Sequence, residues 1–221
     1  MMKPAQRQAP QSEHYRLELA EPESELYEQA VGLVQDQYRA HFGAELNYFY
    51  PRIFCFVCHS SVVACAGIKP AASGDLLLEC YLDMPVDRQI SLATGFPVSR
   101  QHIVEIGGLA VVNKKYLAPF MMALAPALSN LGFTKVACTV TRSIRCYLRK
   151  LNVETLLLAK AQPDRISNDN SSADECNVTR NTAEVNKKND WGSYYDCRPV
   201  VLAGDINRTI AKFFNKTQMA N

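Results

Sequence analysis

Apolar residues in this chain recur with two periods, and the switch between them marks the elements. Over residues 104–112 (VEIGGLAVV) they run nearly unbroken, interrupted only by Glu105 and the pair Gly107-Gly108. That pattern predicts a strand, and a glycine pair inside a strand marks a bulge or a close backbone approach. Asn113 breaks the run. From Leu117 the apolar positions fall at helical spacing: Leu117, Phe120, Met121, Leu124, Leu128 and Leu131. Pro119 falls in the first turn, where its missing N–H costs little, and Pro126 sits deeper, where a kink is expected.

The remaining pattern predicts a strand over residues 15–20 and a helix capped by Ser24 that closes at Phe42-Gly43. An aromatic loop, AELNYFYP, follows. Strands over 52–59 and 62–69 flank a Ser60-Ser61 turn, a third strand covers 76–82, and a short helix covers 86–93. After the central strand and helix come a strand (135–140), a helix (142–151) with Asn152 where a C-cap would sit, and a strand (153–159). A last strand (199–206) and a closing helix (206–214) end the chain. This order predicts an α/β (α+β) class with a mixed sheet. Residues 1–14 read as a flexible tail, and 15–221 as a single domain. Residues 161–190 are polar and without period, which predicts a mobile insertion.

Composition narrows the function classes. A formal net charge of +2 predicts no nucleic-acid partner. No apolar run reaches the length of a transmembrane segment. The polar N-terminal stretch is no secretory signal, and eight cysteines read as buried reduced thiols, so a cytoplasmic protein is expected. Cys55 and Cys58 form a CxxC, but inside a strand that odd spacing sends the side chains to opposite faces, and no metal site is expected.

The candidate chemistry gathers on the central strand and near the C-terminus. Glu105 is a candidate general base if burial raises its pKa; the plainer reading is a carboxylate on the exposed face of a strand, or one paired with a lysine. His102 either shares that site or is a loop histidine. Asn113, Lys114, Lys115 and Tyr116 precede a helix N-terminus, where an anion is favoured; lysines there also simply solubilise. Trp191, Tyr194 and Tyr195 either wall a pocket or fill core. Cys138 and Cys146 lack a neighbouring histidine, and Arg142 and Arg145 read as a solvated face.

The stretches VEIGGLAVVN and WGSYYDCRPVVLAGDI resemble the bacterial thermostable hemolysin family. YRAHFGAELNYFYP and TVTRSIRCYLRKLNVETLLLA support this, and the resemblance spans roughly residues 15–207. It implies a GNAT-like mixed sheet, with a bulged central strand followed by a helix, near the acyl-homoserine lactone synthases. By position, Glu105 matches the strand glutamate of those synthases, and Gly108 stands near their following arginine. The family's usual glycine-rich loop before the helix is replaced by Asn113-Lys114-Lys115-Tyr116-Leu117-Ala118.

These implications favour a GNAT-like acyltransferase. Its donor would be acyl-CoA or the phosphopantetheine of an acyl carrier protein, and its acceptor a small amine. Gly107, Gly108, Leu109 and Asn113 to Tyr116 would hold the donor. His102, Trp191, Tyr194 and Tyr195 would line the acceptor pocket. The family name implies the alternative of a membrane-lytic protein, and loss of the glycine loop that of a non-catalytic acyl-binding module.

Overall fold

The computed structural model describes residues 14–167 and 190–218. Its elements are β1 (Tyr15–Ala20), α1 (Glu25–Phe42), β2 (Arg52–Cys58), β3 (Ser61–Pro70), α2 (Val86–Thr94), β4 (Ile103–Val111), α3 (Leu117–Asn130), β5 (Lys135–Val140), α4 (Arg142–Lys150), β6 (Thr155–Lys160), α5 (Asp164–Ser167), β7 (Val200–Asp205) and α6 (Ile206–Gln218). Seven strands form one sheet in the order β1-β2-β3-β4-β5-β7-β6. Among the described residues only β4 and β5 pair in parallel; the other pairs are antiparallel. A parallel pair needs a crossover, and α3 supplies it.

Local chemistry explains the ends of several elements. The Ser24 side chain accepts from the Tyr27 N–H, and Gly43 at φ 65° closes α1. The β2–β3 turn falls on His59-Ser60, one residue earlier than the sequence pattern suggested. Both residues have positive φ (47° and 67°), the two-residue turn whose twist suits a hairpin. Asn152 takes φ 61° just past α4. α3 continues through Pro126.

Two layers cover the sheet. On one face α3 and α6 bury Phe54, Phe56, Val104, Phe120 and Leu128. On the other, α1 covers Ile53, Cys55, Cys65 and Ala110, and α2 packs with Ile103, Ala137 and Val201. Cys55 and Cys58 fall in opposite layers, as their odd spacing requires.

Residues 76–82 depart from expectation: Leu77–Tyr81 is a 3₁₀ helix rather than a strand. The Glu79 carboxylate accepts from the N–H groups of Leu76 and Val86, both at 2.8 Å, and from Arg100 at 2.6 Å. Those bonds close the chain on itself and leave no ladder to join. The first residues of the stretch expected as an insertion, 161–167, are described. Ala161 and Ile166 are buried and residues 164–167 are helical, while 168–189, like the tail at 1–13, lie outside the described residues.

A bulge lies on β4. Cys65 faces Ala110 and Gly67 faces Gly107, so one residue of β3, Ala66, lies opposite two of β4, Gly108 and Leu109, and Gly108 takes φ 57°. Gly67 and Gly107 are cross-strand neighbours, and the Tyr50 ring lies over both. A Cβ on Gly67 would sit 2.5 Å from the Tyr50 Cβ, and one on Gly107 would overlap the phenol end. Tyr50 cannot easily yield, because its carbonyl accepts from the Tyr27 hydroxyl at 2.6 Å. Gly107→Ala is therefore expected to cost about 1–3 kcal/mol of stability by overpacking. Combined with Tyr50→Ala, its cost should shrink well below the sum, a coupling that urea midpoints in a double-mutant cycle would read.

Candidate active site

The site forms where the sheet comes apart. β4 and β5 are in register from Ile103 opposite Lys135 to Ile106 opposite Cys138, and there the pairing stops. Both strands continue, to Val111 and Val140, without bonding each other. Ile106, Gly107, Gly108 and Thr139 line the opening on one face, with Glu105 beside them. Tyr38 comes from α1, Tyr48, Phe49 and Tyr50 from the following loop, and Trp191 and Tyr194 from near the C-terminus. Seven of the lining residues, Tyr81 among them, are aromatic, and one is a carboxylate.

That carboxylate is 2% exposed. Its Oε2 accepts from the Leu77 N–H and its Oε1 from the Leu78 N–H, each at 2.9 Å. The Tyr50 hydroxyl is its third donor. Glu105 thereby caps the 3₁₀ turn and ties it to β4. Burial pushes its pKa up and outweighs the three donors, so the carboxyl titrates at about 7 instead of 4.5. A carboxylate offers roughly four acceptor positions; three are taken, which leaves one for a group in the cleft. Near neutral pH the group can accept or release a proton. Tyr50, between this carboxylate and the glycines, is itself held well above its ordinary pKa by burial and then by Glu105.

The C-terminal aromatics are seated by backbone. The Ser193 N–H donates to the Phe42 carbonyl at 2.8 Å, and the Gly192 N–H to Asp190 Oδ1 at 2.9 Å. Gly192 has φ 48°, and a Cβ there would run into the Phe42 carbonyl oxygen. Only glycine lets the chain approach the end of α1 so closely. Tyr194 then lies edge-on to Phe42 at 5.3 Å and stacked on Tyr38 at 6.2 Å. The Trp191 ring meets Tyr194 at 5.4 Å, and among the described residues its buried Nε1 has no hydrogen-bond partner.

Of the residues expected at a site, the structure brings together Glu105, Gly107, Gly108, Trp191 and Tyr194. Tyr195 stands behind them, its hydroxyl 2.7 Å from that of Tyr81, which lines the cleft. The others lie elsewhere. His102 is exposed at the start of β4. Leu109 and Tyr116 pack in the opposite layer, with Phe54, Phe56 and Phe120. Asn113, Lys114 and Lys115 are exposed where β4 turns into α3; Asn113 Oδ1 accepts from the Lys115 N–H, and Lys115 Nζ sits 4.6 Å from the Tyr116 ring centroid. Sequence reasoning missed Tyr38, Tyr48, Tyr50 and Thr139. The aromatic run ahead of Pro51 was the available signal for Tyr48 and Tyr50.

A family model described as thermostable hemolysin matches residues 20–173. No curated relative matches the chain by sequence. Among solved structures, FeeM, an N-acyl amino acid synthase from uncultured soil microbes, is 8% identical with a TM-score of 0.58; the match covers 92% of this chain and 96% of that one. BjaI, a CoA-dependent acyl-homoserine lactone synthase, is 12% identical with a TM-score of 0.57, over 92% and 89%. The acyl-homoserine lactone synthase LasI is 12% identical with a TM-score of 0.53, over 88% and 91%. Likeness at this identity establishes the fold, which is GNAT-like.

The raised pKa of Glu105 has a measurable consequence. Between pH 4.5 and about 7 the folded chain keeps a proton that the unfolded chain has lost. Stability is therefore greatest below that window, falls as pH rises through it, and levels off above about 7, for a total of about 3 kcal/mol. Glu105→Gln cannot ionise. Urea unfolding of both proteins from pH 4.5 to 8 should show a decline that is present in the wild type and missing in the variant. Parallel curves would mean that Glu105 titrates as an ordinary carboxylate.

Proposed function

The chain belongs to the thermostable hemolysin family, and from that premise we propose that it is an acyltransferase that moves an acyl group from a thioester donor to a small amine. The donor is acyl-CoA or an acyl carrier protein. One observation carries the reading: a carboxylate titrating at about 7 lies beside the opening between β4 and β5, within an aromatic cleft. The names of the structural neighbours support it. FeeM is an N-acyl amino acid synthase and BjaI a CoA-dependent acyl-homoserine lactone synthase.

The thioester enters through the opening, where β4 beyond Ile106 has no ladder partner in β5. An amine in the cleft attacks the thioester carbonyl carbon. A C–N bond forms, the C–S bond breaks, and the thiolate leaves. Glu105 takes the proton the nitrogen must lose and passes it toward the departing sulfur. In this reading a backbone N–H at the Gly107-Gly108 bulge donates to the carbonyl oxygen as it gains charge. Aromatic faces hold the acceptor, and the unpartnered Trp191 N–H offers it a donor. The exposed residues Asn113, Lys114 and Lys115 put lysines where a glycine loop would stand, which favours a protein-borne phosphopantetheine over tightly held CoA.

Native mass spectrometry against acyl-CoA and acyl-carrier-protein donors of increasing chain length is the direct test, followed by an amine screen for turnover. A donor complex is expected. Glu105→Gln should lower kcat by roughly 10²-fold or more, the scale of general-base loss, while the donor still binds. Binding without turnover of any amine would make the chain a non-catalytic acyl-binding module. No donor complex at all would refute the acyltransferase, and leakage from lipid vesicles would then support the lytic alternative.

A further inference from the structure

A second pocket lies on the sheet face opposite Glu105. α4 crosses that face over Val140, Val200 and Leu202, and the edge strand β6 beside it is left open, with Leu157 57% exposed. Arg145, Arg149, Val153, Thr155, Leu157 and Leu202 line the gap. Arg145 and Arg149 are one turn apart on α4, a spacing at which like charges repel. Among the described residues neither guanidinium has an ion-pair partner. Arg145 Nε is buried and has no hydrogen-bond partner among the described residues. No lining residue is acidic. Glu154, between two of them, is engaged by α6 instead: Lys212 lies at 2.6 Å and Arg208 at 3.4 Å.

We infer that this pocket is a binding site for a phosphate ester whose ester group is apolar. Two guanidiniums and the Thr155 hydroxyl supply more donors than the two oxygens of a carboxylate can use, and they suit the oxygens of a phosphate. Val153 and Leu157 set an apolar shelf beside the charge, where an alkyl group loses water. A soluble phosphate ester and a lipid phosphate headgroup share this chemistry. The inference is independent of the reaction in the Glu105 cleft.

Isothermal titration of the full chain at fixed ionic strength would use butyl phosphate, inorganic phosphate and butyrate. Saturable binding of butyl phosphate is expected, stronger than that of inorganic phosphate and at least about tenfold stronger than that of butyrate. Arg145→Gln should weaken it by about tenfold or more, and Arg145→Lys should not restore it, because an ammonium lacks the planar fork. The exposed Arg149→Gln gives the same readout should burial make Arg145 variants unstable. Arg88→Gln, on α2 across the sheet, should change nothing. Sedimentation with phosphatidylcholine vesicles, with and without phosphatidic acid, separates the sources: phosphatidate-dependent pelleting displaced by butyl phosphate identifies a headgroup, and saturable butyl phosphate binding without pelleting identifies a soluble ester. Unsaturable binding, equal affinity for butyrate, or the same loss in Arg88→Gln would overturn the site.

Discussion

A carboxylate removed from water must be neutralised or surrounded by donors, and Glu105 is balanced between the two. Three donors hold it, yet burial wins by enough to bring its pKa to about 7. The neighbouring structure serves that balance. The 3₁₀ turn supplies two N–H groups, and its own path is fixed by Glu79 and Arg100. For Glu79 burial also raises the pKa, but Arg100 and two backbone N–H groups outweigh it and hold the carboxyl below its ordinary value. Two glutamates 26 positions apart thus receive similar bonds and shift in opposite directions. Two differences decide it: Glu105 is the more deeply buried, and Glu79 alone meets a guanidinium.

Tyr50 reaches Glu105 only because β3 and β4 present glycine opposite glycine. The sequence pattern marked Gly107-Gly108 as one feature, a bulge. The structure divides the pair by role. Gly108 carries the positive φ, whereas Gly107 matters for the Cβ it lacks. No local pattern could reveal the second role, because the ring that occupies the space comes from a loop and the matching Gly67 from another strand. Residues 76–82 were misread for a similar reason. Leucines and a tyrosine at close spacing suit a strand, and the decisive partners, Arg100 and Val86, lie outside the segment. Element boundaries set by caps and turns, such as Ser24 and Gly43, were legible because the chemistry that sets them is adjacent in sequence.

The bulge also decides which side chains share the cleft. In a regular strand Leu109 would lie on the face of Glu105 and Gly107. The extra residue reverses the alternation, so Leu109 and Val111 join the α3 layer and Ala110 faces α1. Leu109 thereby packs with Phe54, Phe56 and Phe120. Tyr116 follows it into the same layer. The pocket wall comes instead from stretches that carried the family resemblance for no evident local reason: the aromatic run before Pro51, and Trp191-Gly192 with Tyr194. Phe42-Gly43 and Gly192 are in direct contact, so those motifs are the two sides of one joint.

The same interruption bears on how the two faces of the sheet communicate. Beyond Ile106 and Cys138 the strands part, and Gly107 and Thr139 face the gap from either side. Had β5 continued in register, the ladder would seal the sheet and the aromatic cleft would have a closed floor. A parallel pair gives up its bonds at a cost unless a ligand or the strand's own twist takes them over. A donor chain lying in the gap would restore hydrogen bonding to the β4 backbone while placing its reactive carbon beside Glu105. On the proposed acyl transfer, one entering chain would answer both the unpaired strand ends and the proton held near neutral pH.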